Sequence, residues 1–246
     1  MREYMRNFIG KALCIAKKDA RIYYFKPQIF GFGILIPAFV YLSFSLGREI
    51  PPELLVPGLV GMVSLFGSSS IEAIAIPIER QTETYELLQT APISTATIIF
   101  GKSLAGTAFG VALSLATTML AISLTGSTIT NPFLFLLATI AGALAFSALG
   151  MVVASAAKDV PTANITLTAI RLPMVFIGGV FISVQSLPVG LQVVSYLTPL
   201  TYLVDALREA TVRPSMLFVL DVVALLAWFL VLQALSIIIL NRKTLS

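Results

Sequence analysis

Few residues in this chain are equipped for chemistry, and their types and spacing narrow what that chemistry is. The 246 residues include no histidine and a single cysteine, Cys14. That excludes His-based acid/base catalysis, a Ser-His nucleophile, histidine or cysteine-cluster metal sites and any disulfide within the chain. Gly101-Lys102-Ser103 looks like the end of a phosphate-binding loop, but the first glycine of G-x-x-x-x-G-K-[ST] falls on Ala96 and no strand precedes it. Nucleotide binding is therefore not expected here. The richest polar segment is residues 79–94, ERQTETYELLQTAPIS, with Glu79, Arg80, Glu83 and Glu86 in its first eight positions and Pro92 as a helix stop. The spacing predicts a short amphipathic helix from about 83 to 90, capped by Thr82, with acids in its first turn and Tyr85 and Leu88 together on one side. Such a helix is either a solvated connector or a knob presented to a soluble partner.

These polar residues sit in a chain that is 57% hydrophobic and 11% charged, with a mean hydropathy of +0.95. Such a composition belongs to a bilayer. A spanning helix needs about 20 apolar residues, and six stretches qualify: 29–46, 54–78, 103–124, 132–157, 161–184 and 216–240. The strong continuous runs argue against a β-barrel. Lys and Arg concentrate on one side of this topology: seven precede residue 27, Arg80 and Lys102 flank the loop after span two, Lys158 lies in the next turn and Arg242 and Lys243 in the tail. Both termini and the 79–94 loop are therefore expected in the cytoplasm of a multi-pass cell-membrane protein. The net charge of +4 reflects this bias, and outside the first 26 residues no basic, aromatic-interleaved stripe suits nucleic acid. Residues 1–28 read as an interfacial amphipathic helix with its basic side toward anionic headgroups. The external segment 185–214 is too apolar for a solvated loop and is expected to dip into the membrane as broken helices. Gly106 and Gly110 form a G-x-x-x-G that allows close helix packing.

Two charges fall inside the spans. Arg171 lies about 12 residues beyond Asp159, roughly 18 Å along its helix. A charge at that depth costs at least ~2.5 kcal/mol, so it is expected to face protein or a wet cavity. Glu72 is its candidate partner, with Asn164 two turns from Arg171 on a similar face. The three are read as bordering a pathway, Glu72 and Arg171 as a gate pair or as contacts for a polar or anionic part of a substrate; a purely structural pair would have the same signature.

The 79–94 loop and the external segment together resemble the permease subunits of ABC-2 type ATP-driven exporters. Glu79, Arg80, Thr84, Glu86, Leu88, Pro92, Ile93 and Ser94 match that family's Glu-Arg, Thr-aliphatic-Glu and Thr-Pro-Ile-Ser pattern, with Glu83 where a glycine is usual, Gln81 in place of a frequent acid and Ala91 in place of the threonine. Gly179-Val180-Phe181, Leu187-Pro188, Pro199-Leu200-Thr201-Tyr202 and Asp205-Ala206-Leu207-Arg208 resemble its span-five end and external element, with Thr198 replacing an asparagine. The resemblance implies an all-α fold of six spans in one transmembrane domain, and a permease that exports a substrate. It also implies a second permease copy, in a homodimer or heterodimer, and a soluble ATPase subunit that holds ATP and Mg, this chain needing no cofactor. Glu79, Arg80, Glu83, Tyr85, Glu86 and Leu88 would form the coupling helix that seats in the ATPase. A secondary transporter or channel fits less well, because no internal repeat is evident and intramembrane charges are few. A lipid-modifying enzyme lacks its usual carboxylate or histidine clusters.

Overall fold

A computed structural model describes residues 2–24, 35, 38, 39, 42, 51–91, 93–213 and 215–244. The regular elements among them are all helices. In chain order they are α1 (Arg2–Tyr23), α2 (Pro52–Gln81), α3 (Thr84–Thr90), α4 (Thr95–Thr125), α5 (Pro132–Ala156), α6 (Val160–Ile177), α7 (Val189–Tyr196), α8 (Pro199–Thr211) and α9 (Leu217–Thr244). Five of them, α2, α4, α5, α6 and α9, are long and apolar enough to cross a membrane. Of the expected span at 29–46 only residues 35, 38, 39 and 42 are among the described residues.

Local chemistry marks where the helices begin. Ser94 accepts from the Thr97 N–H at 3.2 Å, Asn131 from Leu134 N–H at 3.2 Å and Asp159 from Thr162 N–H at 2.8 Å, each satisfying a donor that the first turn leaves unpaired. Pro132 and Pro161 follow two of these caps, where a missing N–H costs nothing. The Ser94 cap starts α4 at Thr95 rather than at the expected 103, which draws Lys102 into the helix. At its far end Gly126 takes the left-handed conformation, φ 67°, and stops it. α6 ends at Ile177, short of the expected 184, as the chain turns through Gly178 and Gly179.

α2 is the best buried of the five long helices and α9 the most exposed. α2 runs between α4, α5, α6 and α8, and two close crossings hold it. A side chain on Gly106 would meet the Ser68 carbonyl at 2.5 Å, and one on Gly150 would meet the Ser69 carbonyl at 2.5 Å. Backbones come together there because nothing stands between them. Val60, Leu65 and Phe66 of α2 pack with Phe146 of α5, Val175 of α6 and Leu200, Leu203 and Leu207 of α8 in the largest apolar cluster. α8 thus joins the core, whereas Val189, Val193 and Val194 of α7 are exposed.

Candidate functional site

α2 and α3 meet at a sharp turn. Glu83 sits at φ 57°, the single positive φ among described non-glycine residues, at the position where the resemblance has glycine. Thr82, expected as the N-cap of the short helix, instead closes α2 by donating to the Ile78 carbonyl at 2.9 Å. The cap position of α3 is Glu83, with no side-chain cap bond. The left-handed turn swings α3 back against the bundle. Tyr85 is consequently buried, 5% exposed, among Ile76, Ile98, Ile99, Met151 and Ala154. Its ring faces inward, while Leu88 is half-buried and Glu83, Thr84 and Thr90 are exposed; the Glu86 side chain lies outside the described residues.

The two charges at the end of α2 look in different directions. Arg80 donates to the Ser155 carbonyl at 3.3 Å and to the Ala157 carbonyl at 3.2 Å, capping the α5 C-terminus where a cation suits the helix dipole. Its guanidinium also lies 5.7 Å from the Tyr85 ring centroid. Glu79, 3% exposed, meets Lys102 Nζ at 2.7 Å and also pairs with Lys18. Asp19 of α1 meets the same two ammoniums, Lys18 at 2.8 Å and Lys102 at 3.0 Å. Four charges from α1, α2 and α4 thus close a neutral ring, with Lys102 and Asp19 fully buried. Burial, reinforced by Glu79 and Asp19, pushes the neighbouring Tyr23 phenol up. Tyr24, also raised by burial and then by Glu72 and Asp19, goes to about 12; it stays a neutral donor to the Ala105 carbonyl at 2.7 Å.

Sequence reasoning missed Lys18, Asp19 and Lys102 as a unit. Asp19 carried a signal, being an acid on the Ala12, Ile15, Tyr23 side of a basic helix. Lys102 carried one too once Ser94 and Thr97 are read as a helix start. Gly101, beside it, lets α1 cross α4 closely: a Cβ there would fall 2.7 Å from the Ala12 carbonyl.

Inside the bundle the expected Arg171–Glu72 pair does not form. Five ion pairs occur among the described residues and none joins them. Glu72 lies between α4 and α5, fully buried, accepting from Ser147 Oγ at 3.0 Å in space left by Gly106. Arg171 arrives from α6 and donates to Ser69 Oγ from Nε at 3.0 Å and from Nη2 at 2.6 Å, with Phe66 beneath it at 5.1 Å. Ser69 donates its own hydroxyl hydrogen bond to the Leu65 carbonyl and keeps its lone pairs for Arg171. Each charged group retains one buried atom, Arg171 Nη1 and Glu72 Oε2, with no hydrogen-bond partner. Asn164 is separate: with Ile165, Thr168, Ala169 and Leu172 it lines an open groove of about 380 Å³ on the outer side of α6, its Oδ1 unsatisfied. Arg171 is not among the lining residues.

At the opposite end Asp205 and Arg208 of α8 pair at 3.5 Å. Arg208 also donates to the Gly179 carbonyl, Ser195 to the Ile177 carbonyl at 2.6 Å and Thr201 to the Ser195 carbonyl at 2.7 Å. These bonds stitch α7 and α8 onto the end of α6.

Long apolar helices, polar residues spent on helix joints and a short helix bracketed at one end describe a multi-pass helical membrane protein. The family model for ABC-2 type transporters matches residues 13–212, and the chain belongs to that family, as an ABC-2 type permease and multi-pass membrane protein. The probable multidrug ABC transporter permease YbhR of Escherichia coli (strain K12) is 25% identical over 167 residues, 66% of this chain and 44% of that protein. The inner membrane transport permease YadH of the same organism is 26% identical over 156 residues, 63% of this chain and 61% of that protein. The matched region therefore spans about half the length of these relatives.

Proposed function

We propose that this chain is the membrane subunit of an ATP-driven exporter, paired with a soluble ATP-binding cassette ATPase and with a second permease copy. In this reading the end carrying α1, α3 and the C-terminus of α9 faces the cytoplasm, and the α7–α8 end faces outward. The observation that carries it is the bracketed α3. A solvated connector needs no anchoring, yet Tyr85 fixes α3 from inside and Arg80 and Glu79 fix its root to three neighbouring helices. A push on such a helix moves the bundle rather than bending a loop.

The contact surface would be Leu88 and Glu86 with Glu83 and Thr84, while Tyr85, Glu79 and Arg80 act as its support. ATP and Mg belong to the ATPase, since Lys102 is committed to two carboxylates. The groove beside Asn164 and Thr168 would border the pathway between the two permeases, with Arg171 and Glu72 setting the position of α6 and α5 against α2 from behind. So apolar a groove suits an apolar part of a substrate better than a bare ion. The test is copurification of the tagged permease with a candidate ATP-binding cassette ATPase co-expressed with it. Leu88→Ser should still insert and fold but lose at least about tenfold in ATPase affinity, as for a contact anchor; undiminished binding by Leu88→Ser and Glu86→Gln together would remove α3 as the contact.

A further inference from the structure

We infer that the Lys18–Asp19–Lys102–Glu79 ring is the joint that makes α1, the root of α3 and α4 move as one body, with Lys102 as its positioning residue; this rests on the ATPase-coupling reading above. The ring alternates sign, so each ammonium touches both carboxylates. It draws one member or two from each of three helices: Lys18 and Asp19 from α1, Glu79 from the last turn of α2, Lys102 from the second turn of α4.

A buried ring of this kind is a weak source of stability, because desolvation offsets most of the attraction and apolar residues of equal size do as well. Its distinctive property is register. Apolar helix faces tolerate sliding, whereas a neutral four-charge ring has one alignment in which no charge is left alone. Its location matches that task. Glu79 is the neighbour of Arg80, so two adjacent residues tie the root of α3 to α1 and α4 on one side and to α5 on the other. The α1–α4 crossing at Gly101 is tight enough that no Cβ fits, and Tyr24 continues the attachment about one turn further along α4, bonded to Ala105 and set 4.9 Å from the Phe109 ring. Lys102 alone bridges both carboxylates from within the bundle, with no solvent to replace it.

The experiment uses the permease assembled with its ATPase in nanodiscs, spin-labelled at the native Cys14, which is exposed, and at Gln81→Cys, also exposed. The α1–α2 distance is measured with ADP and with ATP plus vanadate. With the ring intact, one narrow distance is expected in both states. In the triple variant Asp19→Asn, Glu79→Gln, Lys102→Met, which keeps side-chain volume and leaves a charge only on Lys18, the partly exposed member of the ring, a second population displaced by about one helical turn, ~5 Å, is expected. Stimulation of the ATPase by the permease should fall with it, although the complex still assembles. Should the triple variant fail to fold, the two-state comparison with the intact ring decides alone. A distance that changes between the two nucleotide states in the intact ring overturns the joint, as does a triple variant with an unchanged distance and unchanged stimulation. Failure of the intact permease to bind the ATPase at all overturns the coupling reading, and the joint with it.

Discussion

Arg171 brings a full positive charge into the bundle with a serine hydroxyl and a phenyl ring for company. Burying an uncompensated guanidinium is costly, and an apolar side chain of similar length removes that cost. Arg171→Met is expected to leave the melting temperature unchanged or higher, while Ser69→Ala, which strips the guanidinium of its acceptor, should lower stability by about 1–3 kcal/mol in thermal unfolding of the detergent-solubilised protein. If Arg171→Met is more stable and fails to transport, the charge is retained for function; if it transports normally, it is a packing residue alone. Gly106 supplies a second residue-scale test. A Cβ there would lie 2.4 Å from Glu72 Oε1, so Gly106→Val should cost at least about 1–3 kcal/mol, whereas Gly190, with open space around it, should accept alanine at no cost. Equal tolerance at both glycines would contradict the α2–α4 packing. The sequence made Arg171 and Glu72 visible as charges in apolar runs, but their partners were not legible. Which serine reaches which charge depends on helix rotation, and a 60° difference between positions 69 and 72 on α2 sends them to different neighbours.

At the scale of elements, the short helix after α2 and its neighbours Glu79 and Arg80 were readable from charge, Pro92 and the resemblance, because polar residues between apolar runs have few alternatives. Their orientation was not. Tyr85 and Leu88 look equivalent by spacing, and only the left-handed turn at Glu83 decides that Tyr85 goes in and Leu88 toward the surface. Glycine takes that conformation without a Cβ penalty, so Glu83→Gly should raise stability by about 1 kcal/mol, while Glu83→Val should lower it; a stabilising valine would contradict the turn. α4 begins eight residues before the 103 that the sequence suggests, because Lys102 reads as a loop charge until its two carboxylates are known. The 185–214 segment was legible as broken helices from its apolar content. α8 should resist proteolysis in the folded protein, since Leu200, Leu203, Val204 and Leu207 are fully buried. Ready cutting between Pro199 and Leu207 would remove it from the core.

The whole molecule has an asymmetry that its charge distribution already implied: cations gather at one end and the α7–α8 helices sit at the other. In intact cells a membrane-impermeant maleimide should label Thr128→Cys, in the short α4–α5 connection, in a background lacking Cys14, and should leave Cys14 of the native chain untouched until the membrane is broken. The reverse pattern would invert the topology and place α3 outside, beyond reach of an ATPase. The central claim, that energy comes from a separate subunit acting on this chain, is tested most directly by ATP hydrolysis in proteoliposomes holding the permease alone, the ATPase alone, or both. The expected result is no turnover by the permease alone and, in the complex, hydrolysis that differs from that of the isolated ATPase and reverts toward it when Leu88 and Glu86 are replaced. Hydrolysis by the purified permease alone, abolished by Lys102→Ala, would contradict the account at its root.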